Sequence, residues 1–150
     1  EGVGPHGVVE VAELLPAIVD WNRTHLKSLN GALLADKRVT VRVGDVWGPL
    51  TRDGAGRYDA ILLDTDNGPT AMVQRQNARL YEAAGLLVVF KALKAGGRAV
   101  IWSAAHDRAY AARLAKAGFK VEVVPAKLHA RAKRAAYTLY VADKPPAAAA

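Results

Sequence analysis

The sequence predicts an α/β fold built on a mostly parallel sheet, and three observations carry that expectation. Short apolar runs such as Tyr58-Asp59-Ala60-Ile61-Leu62-Leu63 and Ala99-Val100-Ile101-Trp102-Ser103 read as strands buried on both faces, the pattern of parallel sheets. Segments of helical period separate them, which implies right-handed crossovers and helices on both faces of the sheet. Acidic residues close the runs at Glu13, Asp45 and Asp64, beyond the strand C-termini where open parallel sheets bind their ligands.

Taken in order, Gly7 to Glu13 is a Val-rich strand, and Pro16 opens an amphipathic helix to about Asn30, stopped by Gly31. Val39 to Val43 alternates as a strand and ends at Gly44-Asp45; an irregular stretch with Gly48, Pro49, Gly54 and Gly56 follows. The strand Tyr58 to Leu63 leads to a helix from about Met72 to Leu93, with a break near Gly85 and a stop at Gly96-Gly97. Ala99 to Ser103 is a further strand, and Asp107 to Ala117 a helix with Asp107 as N-cap and Gly118 as terminator. Phe119 to Val124 and Tyr137 to Val141 are the last strands, antiparallel to each other. Residues 1–143 are expected to form one domain and residues 144–150 a disordered tail.

A chain of 150 residues suits a single core, and 51% hydrophobic with 23% charged residues is an ordinary globular composition. There is no cysteine, which removes disulfides, thiolate metal sites and thiol catalysis and leaves a cytoplasmic protein as the expectation. His6, His25, His106 and His129 lie apart with no i, i+4 pairing, so no metal is expected. The longest apolar stretch, Ala83 to Phe90, is too short to span a membrane. The net charge is +7, with Lys127, Arg131, Lys133 and Arg134 clustered around His129 in a connection between strands. That segment lacks aromatic residues for base stacking, so it reads as a solvated loop and nucleic acid is not an expected partner.

Asp64 and Asp66 close a buried strand with two carboxylates, more than a turn requires; the plainer reading makes Asp64 a loop cap and Asp66-Asn67-Gly68-Pro69 a turn. Glu13, Asp45 and Asp64 form an ordered set of acidic strand ends, which suits nucleoside binding because a carboxylate accepts from ribose hydroxyls or from an exocyclic adenine amine. Glu10 competes with Glu13 for the ribose role if the register slides by three residues, and Pro16 favours Glu13 by placing it at the strand-to-helix turn. Gly2-Val3-Gly4-Pro5-His6-Gly7 spells G-x-G-x-x-G but precedes a strand instead of following one, and reads as a loop. Tyr81 and Trp102 read as core residues, with pocket lining as the alternative.

On these residues the sequence resembles the spermidine synthase-like branch of the class I S-adenosylmethionine-dependent methyltransferase superfamily, from Val8 to about Asp143. Glu13-Leu14-Leu15-Pro16 resembles the segment that holds the ribose, Gly44-Asp45-Val46 the segment that meets adenine, and Asp64-Thr65-Asp66-Asn67-Gly68-Pro69 the active-site loop. The resemblance implies a Rossmann-like fold and transfer of an aminopropyl group from decarboxylated S-adenosylmethionine to putrescine. It casts Asp64 as base and orienting group, Asp66 and Asn67 as acceptor-binding residues, and Glu13, Asp45 and Val46 as nucleoside-binding residues. Two alternatives stand beside it: a methyltransferase using S-adenosylmethionine, and a degenerate module that binds or assembles without catalysis.

The same resemblance implies a first strand, glycine loop and helix that have no counterpart here, so the chain is expected to be an N-terminally truncated domain. That strand lies between those ending at Glu13 and Asp64, and its absence is expected to leave two open edges. An open edge invites pairing, and a homo-oligomer formed through it is a further expectation.

Overall fold

The computed structural model describes residues 3–52, 55–65, 68 and 77–147. They fall into two compact units, 1–52 and 53–150.

Unit 1 holds β1 (Val9–Glu13), α1 (Pro16–Arg23), α2 (Lys27–Leu34), β2 (Val39–Val43) and α3 (Trp47–Thr51). β1 and β2 are parallel, with Val9 opposite Val39 and Glu13 opposite Val43. Pro16 opens α1 as expected, because its fixed φ and missing N–H suit the first helical turn. The single helix expected to Asn30 is instead two. Thr24 donates its hydroxyl to the Asp20 carbonyl at 2.7 Å, and the Leu26 amide reaches Trp21 at 2.8 Å, five residues back, so the regular ladder breaks at this point. Gly31 lies inside α2 and stops nothing. The stretch expected to be irregular contains α3, whose first turn is held by the Asp45 carboxylate accepting from Trp47 N at 2.8 Å.

Unit 2 holds β3 (Tyr58–Leu63), α4 (Ala78–Tyr81), α5 (Ala83–Ala92), β4 (Leu93–Ser103), α6 (Arg108–Lys116), β5 (Lys120–Ala126) and β6 (Tyr137–Asp143). Its strands run in the order β3-β4-β6-β5, with β3 parallel to β4 and β6 antiparallel to both β4 and β5. Where one helix with a break at Gly85 is expected, the break falls at Glu82, which is extended, and Gly85 is buried within α5. A Cβ on Gly85 would overlap the Arg79 carbonyl oxygen, so the close turn from α4 into α5 requires glycine there. Residues 72–76 of that expected helix lie outside the described residues.

The helix ends at Ala92 and β4 begins at once, earlier than Ala99. Gly96-Gly97 is a bulge within β4: Tyr58 pairs with Leu93 and Ala60 with Arg98, while Gly96 takes φ +77. Lys144 docks beside it, its N donating to Gly97 O at 2.8 Å and its Nζ to Phe90 O and Leu93 O at 2.8 and 2.7 Å.

The core of unit 2 lies between its helices and one sheet face, formed by Ile61, Leu63, Ala99, Ile101, Tyr140 and Ala142. Leu62, pointing the other way, is 77% exposed. Within unit 2 the strand order decides where the helices lie. Both crossovers, β3 to β4 and β4 to β5, move the same way along the sheet, so right-handed connections put α4, α5 and α6 on a single face. Among the described residues β1 pairs only with β2, and β3 only with β4.

Candidate functional site

In unit 1 the acidic strand ends come together at one end of the parallel pair. The ladder puts Glu13 opposite Val43, two residues before Asp45, and Gly44 N donates to Glu13 O at 2.8 Å. Glu13 Oε1 accepts from Leu15 N at 2.8 Å, which fixes the carboxylate over the turn into α1; its other oxygen has no partner among the described residues. Asp45 is exposed, and half-buried Val46 is the N-cap of α3, its carbonyl accepting from Leu50 N at 3.2 Å. Glu10, the competitor for the ribose role, is bound to Arg42 and, at 2.9 Å, to Arg52. Two guanidinium groups hold that carboxylate. A cavity of about 390 Å³ lies between this strand pair and α1 and α2, with Glu13 among otherwise mostly apolar lining residues such as Val11, Ile18 and Leu33. Of the glycines before β1, Gly4 and Gly7 close a turn, with Gly7 N donating to Gly4 O at 2.9 Å, and Gly2 lies outside the described residues.

In unit 2 Asp64 directly follows β3. It is exposed and makes no hydrogen bond or ion pair among the described residues. The residue after it is anchored. Asn77 Nδ2 donates to the Thr65 carbonyl at 3.1 Å, and the Thr65 hydroxyl shares a hydrogen bond with the Tyr81 hydroxyl at 3.2 Å. Gly68 is held too: its φ is +101, and a Cβ there would overlap the Ser103 side chain and come within 3.2 Å of its Cα. Ser103 is itself buried and donates to Ala105 O at 2.7 Å. Asp66 and Asn67 lie outside the described residues.

Behind the loop stands a chain of tyrosines. Tyr81 meets Tyr110 edge-on with centroids 5.7 Å apart, and Tyr110 meets Tyr140 at 5.0 Å. Tyr81 is 3% exposed and belongs to the core, while its hydroxyl holds the loop; Trp102 is half-buried against Tyr137 at 5.0 Å. Burial pushes the Tyr110 hydroxyl well above the ordinary tyrosine range, so it stays protonated. Tyr140 ties this cluster to α6 by accepting from Asp107 N at 2.6 Å. Asn77 and the hydroxyl of Tyr81 are the residues that sequence reasoning missed as loop anchors. Among the described residues no group of three or more His, Cys, Asp or Glu is placed to hold a metal, and no helix is long and apolar enough to cross a membrane.

No family model matches the chain. A stretch of 93 residues, 61% of the chain, is 34% identical to the polyamine aminopropyltransferase of Corynebacterium efficiens and covers 17% of that protein. The crystal structure of spermidine synthase from Thermotoga maritima matches 91% of the chain with a TM-score of 0.65 at 16% identity. The chain has the spermidine synthase-like class I methyltransferase fold. Human methyltransferase-like protein 13, solved in complex with SAH, shares this fold with a TM-score of 0.69 over 97% of the chain at 18% identity. The chain spans 45% of the Thermotoga protein and 65% of the human one. In this Rossmann-like fold Glu13, Asp45 and Asp64 all follow strand C-termini, the end at which open α/β sheets bind ligands.

Proposed function

We propose that the chain is part of an aminopropyltransferase that moves an aminopropyl group from decarboxylated S-adenosylmethionine to a diamine such as putrescine. The observation that carries this reading is Asp64, an exposed carboxylate at the end of β3 whose following residue is pinned by Asn77 and Tyr81. A diamine is protonated near neutral pH, so its attacking nitrogen must first lose a proton, and a fixed carboxylate can accept it and aim the lone pair. The nitrogen then forms the new C–N bond as the C–S bond breaks, and the electron pair stays on sulfur in the methylthioadenosine that leaves. Asp66 and Asn67 hold the amine acceptor. Glu13 accepts from the ribose hydroxyls with the oxygen that Leu15 leaves unused, while Asp45 and Val46 meet adenine. The polyamine aminopropyltransferase relative supports aminopropyl over methyl transfer. The lack of cysteine supports a cytoplasmic setting, in polyamine biosynthesis.

A second reading is methyl transfer from S-adenosylmethionine, favoured by the likeness to human methyltransferase-like protein 13. It keeps Glu13 and Asp45 in their roles and needs no cationic acceptor at Asp64. Incubation with decarboxylated S-adenosylmethionine and putrescine, read by mass spectrometry, separates the two. The expected products are spermidine and methylthioadenosine, with Asp64→Asn lowering the rate by about 10²–10⁴-fold. No methylthioadenosine, or an unchanged rate in Asp64→Asn, would overturn the reading.

A further inference from the structure

The net charge of this chain is concentrated in one part of it. Residues 108–142 hold eight Lys and Arg against a single carboxylate, Glu122; that surplus equals the +7 of the whole chain, and the remaining residues carry thirteen charges of each sign. Four of the cations, Lys127, Arg131, Lys133 and Arg134, sit in the connection between β5 and β6. All four are exposed, and none makes an ion pair or hydrogen bond among the described residues. Several cations elsewhere are paired: Arg38 with Asp36 at 2.6 Å, Lys94 with Asp59 at 2.8 Å and Arg98 with Asp143 at 2.6 Å. Solubility calls for charge but not for charge of one sign, and a one-signed cluster raises self-repulsion.

The connection has a defined shape and direction. Ala136 N donates to Ala126 O at 2.9 Å to close it, and Ala132 N donates to His129 O at 2.9 Å within it. Ser103 pairs with Thr138, and Ala126 with Tyr137, so the hairpin emerges at the sheet end that carries the C-termini of β3 and β4. That is the end occupied by Asp64. β6 is two strands from β3, a lateral offset of roughly 10 Å. Glu122 is four residues back along β5 from Ala126, roughly 13 Å away, and Asp143 is already paired with Arg98.

We propose that the β5–β6 hairpin docks the phosphate backbone of duplex nucleic acid. Guanidinium forks such as those of Arg131 and Arg134 match phosphate oxygens two at a time, and Lys127 and Lys133 add point charges beside them. The lack of aromatic residues in 127–136, which sets nucleic acid aside in the sequence reading, bears on single strands gripped by base stacking and not on a duplex held through its backbone phosphates. A lipid surface fits less well, since the hairpin offers only one large exposed apolar side chain, Leu128, and no aromatic anchor. The proposal rests on charge and strand register alone and does not use the reading of Asp64.

The test is binding of a mixed-sequence DNA duplex of about 20 base pairs by fluorescence anisotropy between 50 and 200 mM salt. Four phosphate contacts predict a slope of about −3.6 in log affinity against log salt, or a loss of about 150-fold across that range. Replacing the four cations together (Lys127→Gln, Arg131→Gln, Lys133→Gln, Arg134→Gln) is expected to cut affinity at least about 10-fold and flatten the slope. Removing four exposed cations elsewhere (Arg23→Gln, Lys27→Gln, Lys37→Gln, Lys91→Gln) is expected to leave both nearly unchanged. Circular dichroism checks that each variant folds, and the double variant Arg131→Gln with Arg134→Gln serves if the fourfold one does not. No binding at 50 mM salt, equal losses in the two sets, or equal affinity for phosphatidylserine vesicles would overturn the proposal.

Discussion

The two units handle apolar surface in opposite ways. Unit 2 supplies most of the buried hydrophobic side chains, from Ile61 and Leu63 through Leu86 and Val89 to Tyr140, whereas unit 1 contributes only Val19 and Leu50 among the described residues. Unit 1 instead exposes Val8, Leu14, Leu15, Trp21, Leu29, Leu33 and Val43. The reason is physical: two short strands and three short helices enclose too little volume to remove their own apolar faces from water. The nucleoside-binding candidates Glu13 and Asp45 therefore stand on the thinly packed unit, and Asp64 stands on the well-packed one. Stability and ligand response should divide along the same line.

The largest expected effect on stability is in the core of unit 2. Leu114→Ala should cost about 2–5 kcal/mol in urea unfolding, while Leu29→Ala, at a side chain 71% exposed, should stay within about 0.5 kcal/mol. Equal costs would break the comparison. A smaller effect is expected at the start of α6, where the Asp107 carboxylate accepts from Ala109 N at 2.8 Å and Tyr110 N at 3.2 Å. Asp107→Ala should cost about 1 kcal/mol, and a negligible change would mean that Tyr140 alone fixes the helix start.

The smallest effect is expected in unit 1 and depends on pH. Hydrogen bonds from Arg38 hold the Asp36 carboxyl down at about 2. A lowered carboxylate stabilises above its unfolded value of about 4 and loses that contribution as pH falls toward 2. The pair is solvent-accessible, so the contribution is small. The acid limb of an unfolding profile should flatten slightly in Asp36→Asn; an unchanged limb would remove the pair from the account.

Sequence reading succeeds where a local rule acts alone. Pro16, Asp107 and Gly118 mark helix ends because a fixed φ, a side-chain acceptor and a positive φ are properties of single residues. It fails where the deciding partner is distant or competes with the rule. Gly85 looks like a helix breaker, yet the break falls at Glu82 and the glycine serves the close approach to Arg79. Thr24 splits a helix through a side-chain bond that periodicity does not register. The candidate site divides in the same manner. Glu13, Asp45 and Asp64 are legible because they end apolar runs, whereas the partners of Glu10, Arg42 and Arg52, are 32 and 42 residues away and leave no mark on its local sequence. The anchor from Asn77 to Thr65 spans twelve residues and has no sequence signature.

The most direct measurement is calorimetric titration of the chain with methylthioadenosine and S-adenosylhomocysteine in parallel, repeated with Glu13→Gln. Binding that prefers methylthioadenosine and weakens by about 1–3 kcal/mol in Glu13→Gln is the predicted result. Preference for S-adenosylhomocysteine, no response to either ligand, or a loss in Glu10→Gln with none in Glu13→Gln would contradict the account.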